Sequence, residues 1–187
     1  MTRTRPRDLA LIALFAALTA VLGLSPVIPL PILGVTIALQ TLGMLLAGGV
    51  IGARRGALAM LLVIALVAIG LPVLTGGQGG LGKLIGPTAG FIWSWPLGAL
   101  VTGALTERWW SRLTRVRAGL AALAGSVTLY PLGQAWLAVQ LHLTPGFAAW
   151  SWVLYVPGDI AKSVVAAIVV VAVKKAYPLI TPRTERS

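Results

Sequence analysis

The chain has 187 residues, of which 58% are hydrophobic and only 10% charged, against about 25% charged in an average soluble domain, so it lacks the polar residues to cover a globule in water. Its net charge of +11 would suit nucleic acid, but Lys and Arg sit in short clusters at the ends of apolar runs rather than on one water-facing patch, which excludes that reading. No Cys, a single His (His142) and four acids leave no thiol chemistry and no metal cluster, and no cofactor is expected.

A transmembrane helix needs roughly 20 mostly apolar residues. Apolar runs at 9–24, 37–51, 57–74, 84–105, 118–141 and 150–173 predict an all-α membrane protein, a bundle of six transmembrane helices forming one domain over residues 1–187. The first run follows Arg3, Arg5 and Arg7 and resembles a signal peptide, but it is long for one. Pro-rich sequence follows it in place of a small-residue cleavage site, so it is read as retained. The second run is short and is expected to extend into its flanks. Between these two, Pro26, Pro29 and Pro31 predict an extended segment over 25–36. Residues 75–86 read TGGQGGLGKLIG, whose glycines permit unusual backbone angles and close approach to a ligand. Irregular backbone at membrane depth is tolerated only when buried or lining a cavity. Two such segments on one side point to a lidded pocket there, the alternative being ordinary connecting loops.

The orientation follows from the basic residues. Arg3, Arg5, Arg7, Arg54, Arg55, Arg108, Arg112, Arg115, Arg117, Lys174, Lys175, Arg183 and Arg186 fall on one side, all but two of the fifteen. Only Lys83, in a loop opposite, and Lys162, inside the last run, depart from the pattern. Both termini are therefore expected in the cytoplasm, with the protein multi-pass in the cell membrane. Gly82, Gly86, Gly90, Ser94, Gly98 and Thr102 recur every four residues, as do Gly48, Gly52 and Gly56, and Ala13 with Ala17. Such small-residue stripes pack helices within a fold or dock a partner subunit.

Chemistry is concentrated in PGDIAKS, where Asp159 and Lys162 precede the apolar run 164–173. Positions i and i+3 share a helix face, so the two can meet. Pro157 suits a helix start. An acid within a span costs about 2.5 to 3.5 kcal/mol on insertion scales, so such groups tend to be paired and functional. The plainer alternative is an ion pair that pins the helix end. Thr36, Gln40 and Thr41 open the second run on the same side, and Gln78, Lys83 and Thr88 flank the glycine loop. Trp93, Trp95, Trp150, Trp152 and Tyr155 lie nearby as interfacial belt residues or stacking partners. Gly77, Gly82 and Lys83 match the start of a phosphate-binding loop, but Leu84 stands where a Mg²⁺-ligating hydroxyl is needed, and no strand precedes it. His142, Ser126 and Ser163 have no positioned catalytic partner in sequence, so an enzyme is not expected.

Four segments in order, VIPLPILGVTIALQTLGMLLAG (27–48), GLPVLTGGQGG (70–80), GPTAGF (86–91) and PGDIAK (157–162), resemble the BioY family. These are the biotin-specific substrate-binding subunits of energy-coupling factor transporters. The resemblance spans nearly the whole chain. It implies a six-helix membrane protein that captures biotin from outside and works with a transmembrane coupling subunit and two cytoplasmic ATPase subunits. It further implies that Asp159 and Lys162 contact the vitamin and that Gln40, Thr75 and Gln78 line the pocket. Related members often carry an aromatic where this chain has Leu74, which alters wall shape more than polarity. Lys83 and Lys162 are candidates to attract the biotin carboxylate, and Ala13 with Ala17 to dock the coupling subunit. Alternatives are the same architecture for another vitamin or small solute, or an intramembrane enzyme.

Overall fold

A computed structural model describes residues 6–25, 28–30, 35–144, 146 and 150–180, with backbone alone between 28 and 37. Arg3, Arg5, Pro26, Pro31, Arg183 and Arg186 lie outside the described residues, as does the side chain of Thr36. Helix dominates: α1 (Pro6–Gly23), α2 (Gln40–Ile51), α3 (Ala53–Ala68), α4 (Leu81–Ile85), α5 (Ala89–Arg108), α6 (Arg115–Val127), α7 (Leu129–Gln140) and α8 (Val156–Ala176). The exception is a small antiparallel pair, β1 (Ile28–Leu30) with β2 (Val35–Ile37), in register Pro29 opposite Thr36. It falls in the Pro-rich stretch expected to be extended, and it departs from a purely helical chain.

The second helix lies at the centre. Ten of the 12 residues of α2 are buried, and it packs against α1, α3, α5, α6 and α8. At about 18 Å by helical rise it is shorter than the bilayer core is thick. It does not grow into its flanks as expected. Upstream lies the strand pair, and downstream Gly52, at φ +88, turns the chain directly into α3. Glu107 closes that turn by accepting a hydrogen bond from the Ala53 amide at 2.9 Å.

Three other boundaries move for identifiable reasons. The third run ends at Ala68 because Gly70, at φ +95, terminates α3 with the Leu71 amide donating to Leu66 O and the Gly70 amide to Val67 O. The fourth run splits into α4 and α5 around Pro87. The fifth splits at Thr128, three residues before Pro131, whose missing N–H leaves a gap in the helical ladder. Thr128 itself keeps helical angles and donates to Gly125 O at 2.6 Å, so α6 and α7 form one interrupted rod.

The small-residue stripes pack the interior, as close approach requires. A Cβ on Gly103 would lie 2.4 Å from Ala53 Cα, one on Gly48 2.3 Å from Ala99 O, and one on Gly90 2.5 Å from Trp136 Cβ. The stripe begins at Gly90, since a Cβ on Gly82 would meet nothing within 4 Å and one on Gly86 only the neighbouring carbonyls of Gly82 and Lys83. Ala13 and Ala17 are exposed on α1, opposite the buried Ile12, Phe15, Ala16 and Thr19. Large apolar side chains stand outward on most of the helices, among them Leu14, Leu61, Leu97, Leu120, Val139 and Val164. An apolar exterior of this extent suits hydrocarbon rather than water.

One end of the bundle gathers the basic residues. Arg7 stacks on the Tyr177 ring at 5.5 Å, Arg55 pairs with Asp8 at 3.2 Å, and Lys174 lies over Trp110 at 5.3 Å. The start of α1, the α2–α3 turn and the end of α8 thus share an end. The cavity described next opens at the other.

Candidate functional site

The cavity lies beyond the close contact of α2 with α5. Gly98 faces Met44 across the α2–α5 contact, and Gly48 faces Ala99 and Thr102 one turn further in. One turn the other way stand Trp95, Ile92 and Phe91 of α5, with Thr88 at its N-cap. They line a cavity of about 560 Å³ together with residues from α2, the glycine loop, α4, α7 and α8, a size within the range usual for small-molecule sites.

All seven predicted ligand-binding side chains border this one cavity: Gln40, Thr75, Gln78, Lys83, Thr88, Asp159 and Lys162. Their roles in its wall differ. Asp159 and Lys162, one turn apart on α8, are only 9% and 8% exposed, and Oδ1 lies 2.6 Å from Nζ. Pro157 stands in the first turn of that helix, as its fixed φ favours. The Lys162 ammonium donates a second hydrogen bond to Thr41 Oγ1 on α2 at 2.6 Å, and the Tyr130 hydroxyl of α7 donates to Asp159 Oδ2. Three helices therefore converge on one acid–base pair, which satisfies the demand that buried charges be paired and hydrogen-bonded.

Gln40 is turned to the loop instead. Its Nε2 donates to Val73 O at 2.6 Å, and its Oε1 accepts from the Thr75 amide and hydroxyl at 3.2 Å each. The Gly76 amide donates to Gly23 O at the end of α1, so the loop is fastened to two helices. Within it, Leu74 and Gln78 pair across a tight turn made by Gly76 and Gly77, both at positive φ. A side chain at either position would be strained, which is the physical need behind the glycine run. Lys83 stands on α4 at the cavity rim. The carbonyls that close α4 are bound by distant side chains: Leu84 O by Trp93 and Gly86 O by Trp136, both at 2.9 Å, and Ile85 O by Gln140 at 2.5 Å.

Tyr130, Phe91, Ile92 and Leu129 line the cavity without having been anticipated. Tyr130 carried a usable signal, since it precedes a proline inside an apolar run, where helices kink. The three apolar residues carried none, because a cavity wall and a helix contact use the same side chains. His142 is exposed just past the end of α7 and is not itself among the lining residues, although Leu141 beside it is. Trp93 points outward, whereas Trp95 is buried in the wall.

Three comparisons bear on this arrangement. The model of the BioY family matches residues 1–179. Biotin transporter BioY of Rhizobium etli is 48% identical over 95% of this chain and 98% of its own length, and that of Rhodobacter capsulatus is 50% identical over 87% and 90%. Among solved structures, the 2.1 Å crystal structure of the S-component for biotin from an ECF-type ABC transporter superposes with a TM-score of 0.85. That likeness holds at 28% identity and covers 94% of this chain and 95% of the other. On these matches, which span nearly its whole length, the chain belongs to the BioY family.

Proposed function

We propose that this membrane protein captures biotin in the cavity, as the substrate-binding subunit of an energy-coupling factor transporter. The carrying observation is the Asp159–Lys162 pair, 2.6 Å apart in a largely apolar wall. A carboxylate beside an ammonium reads the edge of a ureido ring, where an N–H donor and the carbonyl acceptor are neighbours. Lys162 has three N–H donors, of which two serve Asp159 and Thr41, so one is left for a guest's carbonyl. The thioether ring and alkyl chain rest on Phe91, Ile92, Trp95 and Leu129, and the biotin carboxylate faces Lys83 with Gln78, Thr75 and Thr88 at the rim. Gln40 serves by positioning the loop. An analogue lacking the N–H groups forgoes a hydrogen bond to the charged Asp159, at a cost of about 1.5–3 kcal/mol.

In this reading residues 1–187 form one domain that crosses the cell membrane six times, with α6 and α7 as one interrupted span and α4 outside the count. Both termini are cytoplasmic, in keeping with the basic end shared by Arg7, Arg55 and Lys174. The cavity faces outward. A transmembrane coupling subunit docks on the exposed Ala13/Ala17 stripe of α1, and two cytoplasmic ATPase subunits supply energy. Transport, not catalysis, is the task.

Equilibrium binding of radiolabelled biotin to the purified protein in detergent is the direct test, with saturable binding expected and absence of binding fatal. Ala17→Trp is expected to abolish uptake by cells while leaving that binding intact. Loss of both would show a folding defect, and retention of both would remove α1 as the docking face.

A further inference from the structure

Asp159 is held by two donors that reach it from different helices. Lys162 covers Oδ1, and the Tyr130 hydroxyl covers Oδ2. Tyr130 has little freedom to do otherwise. It lies in the first turn of α7, where Pro131 interrupts the rod, and its ring is held against Trp152 at 5.8 Å and Tyr155 at 6.4 Å. A carboxylate can turn easily about its last bond, whose preference is broad and two-fold. The tyrosine removes that freedom and sets the plane of the acid.

The second donor also has an electrostatic consequence. Lys162 balances the formal charge of Asp159, yet only one of the two oxygens lies against the ammonium. Without the hydroxyl, Oδ2 would be a bare anionic oxygen in the cavity wall, where a low local dielectric strengthens its pull on any cation. With it, both oxygens are engaged, and each keeps one lone pair for a guest.

We propose that Tyr130 is a specificity-determining residue: by covering Oδ2 of Asp159 it tunes the wall for a neutral donor–acceptor head over a cationic one. This rests on the reading that the cavity holds biotin by its ureido ring. The probe is 2-iminobiotin, in which the ureido oxygen is replaced by nitrogen. Its head is a guanidinium at neutral pH, with donors only, while its second ring, chain and carboxylate are those of biotin.

The experiment measures both ligands against wild type and Tyr130→Phe, in detergent and again in membrane vesicles so that a detergent-sensitive variant is still read. Wild type is expected to prefer biotin. In Tyr130→Phe biotin is expected to weaken by roughly tenfold or more, as for a lost hydrogen bond to a charged group. The analogue is expected to weaken less or to tighten, so that the preference narrows by about tenfold. An equal change for both ligands, or none for either, would overturn the proposal and leave Tyr130 as packing. Wild type failing to bind biotin would instead sink the reading beneath it, a distinct outcome.

Discussion

Two acid–base pairs stand at opposite ends of this bundle and do different things with the same chemistry. Asp8 and Arg55 meet at 3.2 Å with side chains 28% and 21% exposed, and Arg55 also donates to Leu179 O. Asp159 and Lys162 meet at 2.6 Å, nearly buried, with Tyr130 and Thr41 completing their hydrogen bonds. The first pair ties chain ends together in a setting that water and salt screen, where such pairs contribute about 0–1 kcal/mol. The second lies where removing one partner strands a charge, at about 3–5 kcal/mol. Burial, not distance alone, separates a staple from a site.

Mutation can test that contrast. The largest expected effect is from Asp159→Asn, which removes the negative charge, turns one acceptor oxygen into a donor and leaves the Lys162 charge unbalanced. Biotin binding should fall by at least ~100-fold, and unchanged equilibrium binding would end the role given to this residue. Adding Lys162→Met should not restore binding but should recover part of the lost thermal stability in detergent, because no lone charge then stays buried. A double variant less stable than Asp159→Asn would contradict the buried-pair account.

An intermediate effect is expected from Gln40→Ala. It cuts three hydrogen bonds to the glycine loop without touching the acid–lysine pair. Affinity should drop about 3- to 10-fold through a faster biotin off-rate, and an effect as large as that of Asp159→Asn would mean that Gln40 itself carries the ligand. The smallest effect belongs to Asp8→Asn at the basic end. Biotin affinity should not move, and the melting temperature should shift by no more than about 3 °C. A large loss there would erase the distinction between the two ends.

Much of the site was legible because membrane insertion makes polar residues conspicuous. Asp159, Lys162 and Lys83 stood out against apolar sequence, and the glycine run announced a backbone that needed positive φ, as Gly76 and Gly77 adopt. The i, i+3 spacing on α8 brings Asp159 and Lys162 within reach on one face, and at 2.6 Å they are paired. Tyr130 was harder to read, since its contact with Asp159 spans 29 residues and depends on where the Pro131 interruption aims the ring. Gln40 lines the cavity as expected, while its amide also bonds residues 33 and 35 positions away, a link that no local pattern encodes.

Composition and the placement of Lys and Arg by themselves determined a membrane protein with one basic end, because the cost of burying charge acts on every residue regardless of its neighbours. Spacing determined which residues share a helix face, because 3.6 residues per turn is a local rule. The tertiary structure decided where helices touch and where they part. Gly48 and Gly103 let backbones close on Ala99 and Ala53, whereas Trp95, Phe91 and Tyr130 line a cavity nearer the other end. That choice depends on which side chain meets which across α2, α5, α7 and α8, a property of pairs that no single stretch of sequence contains.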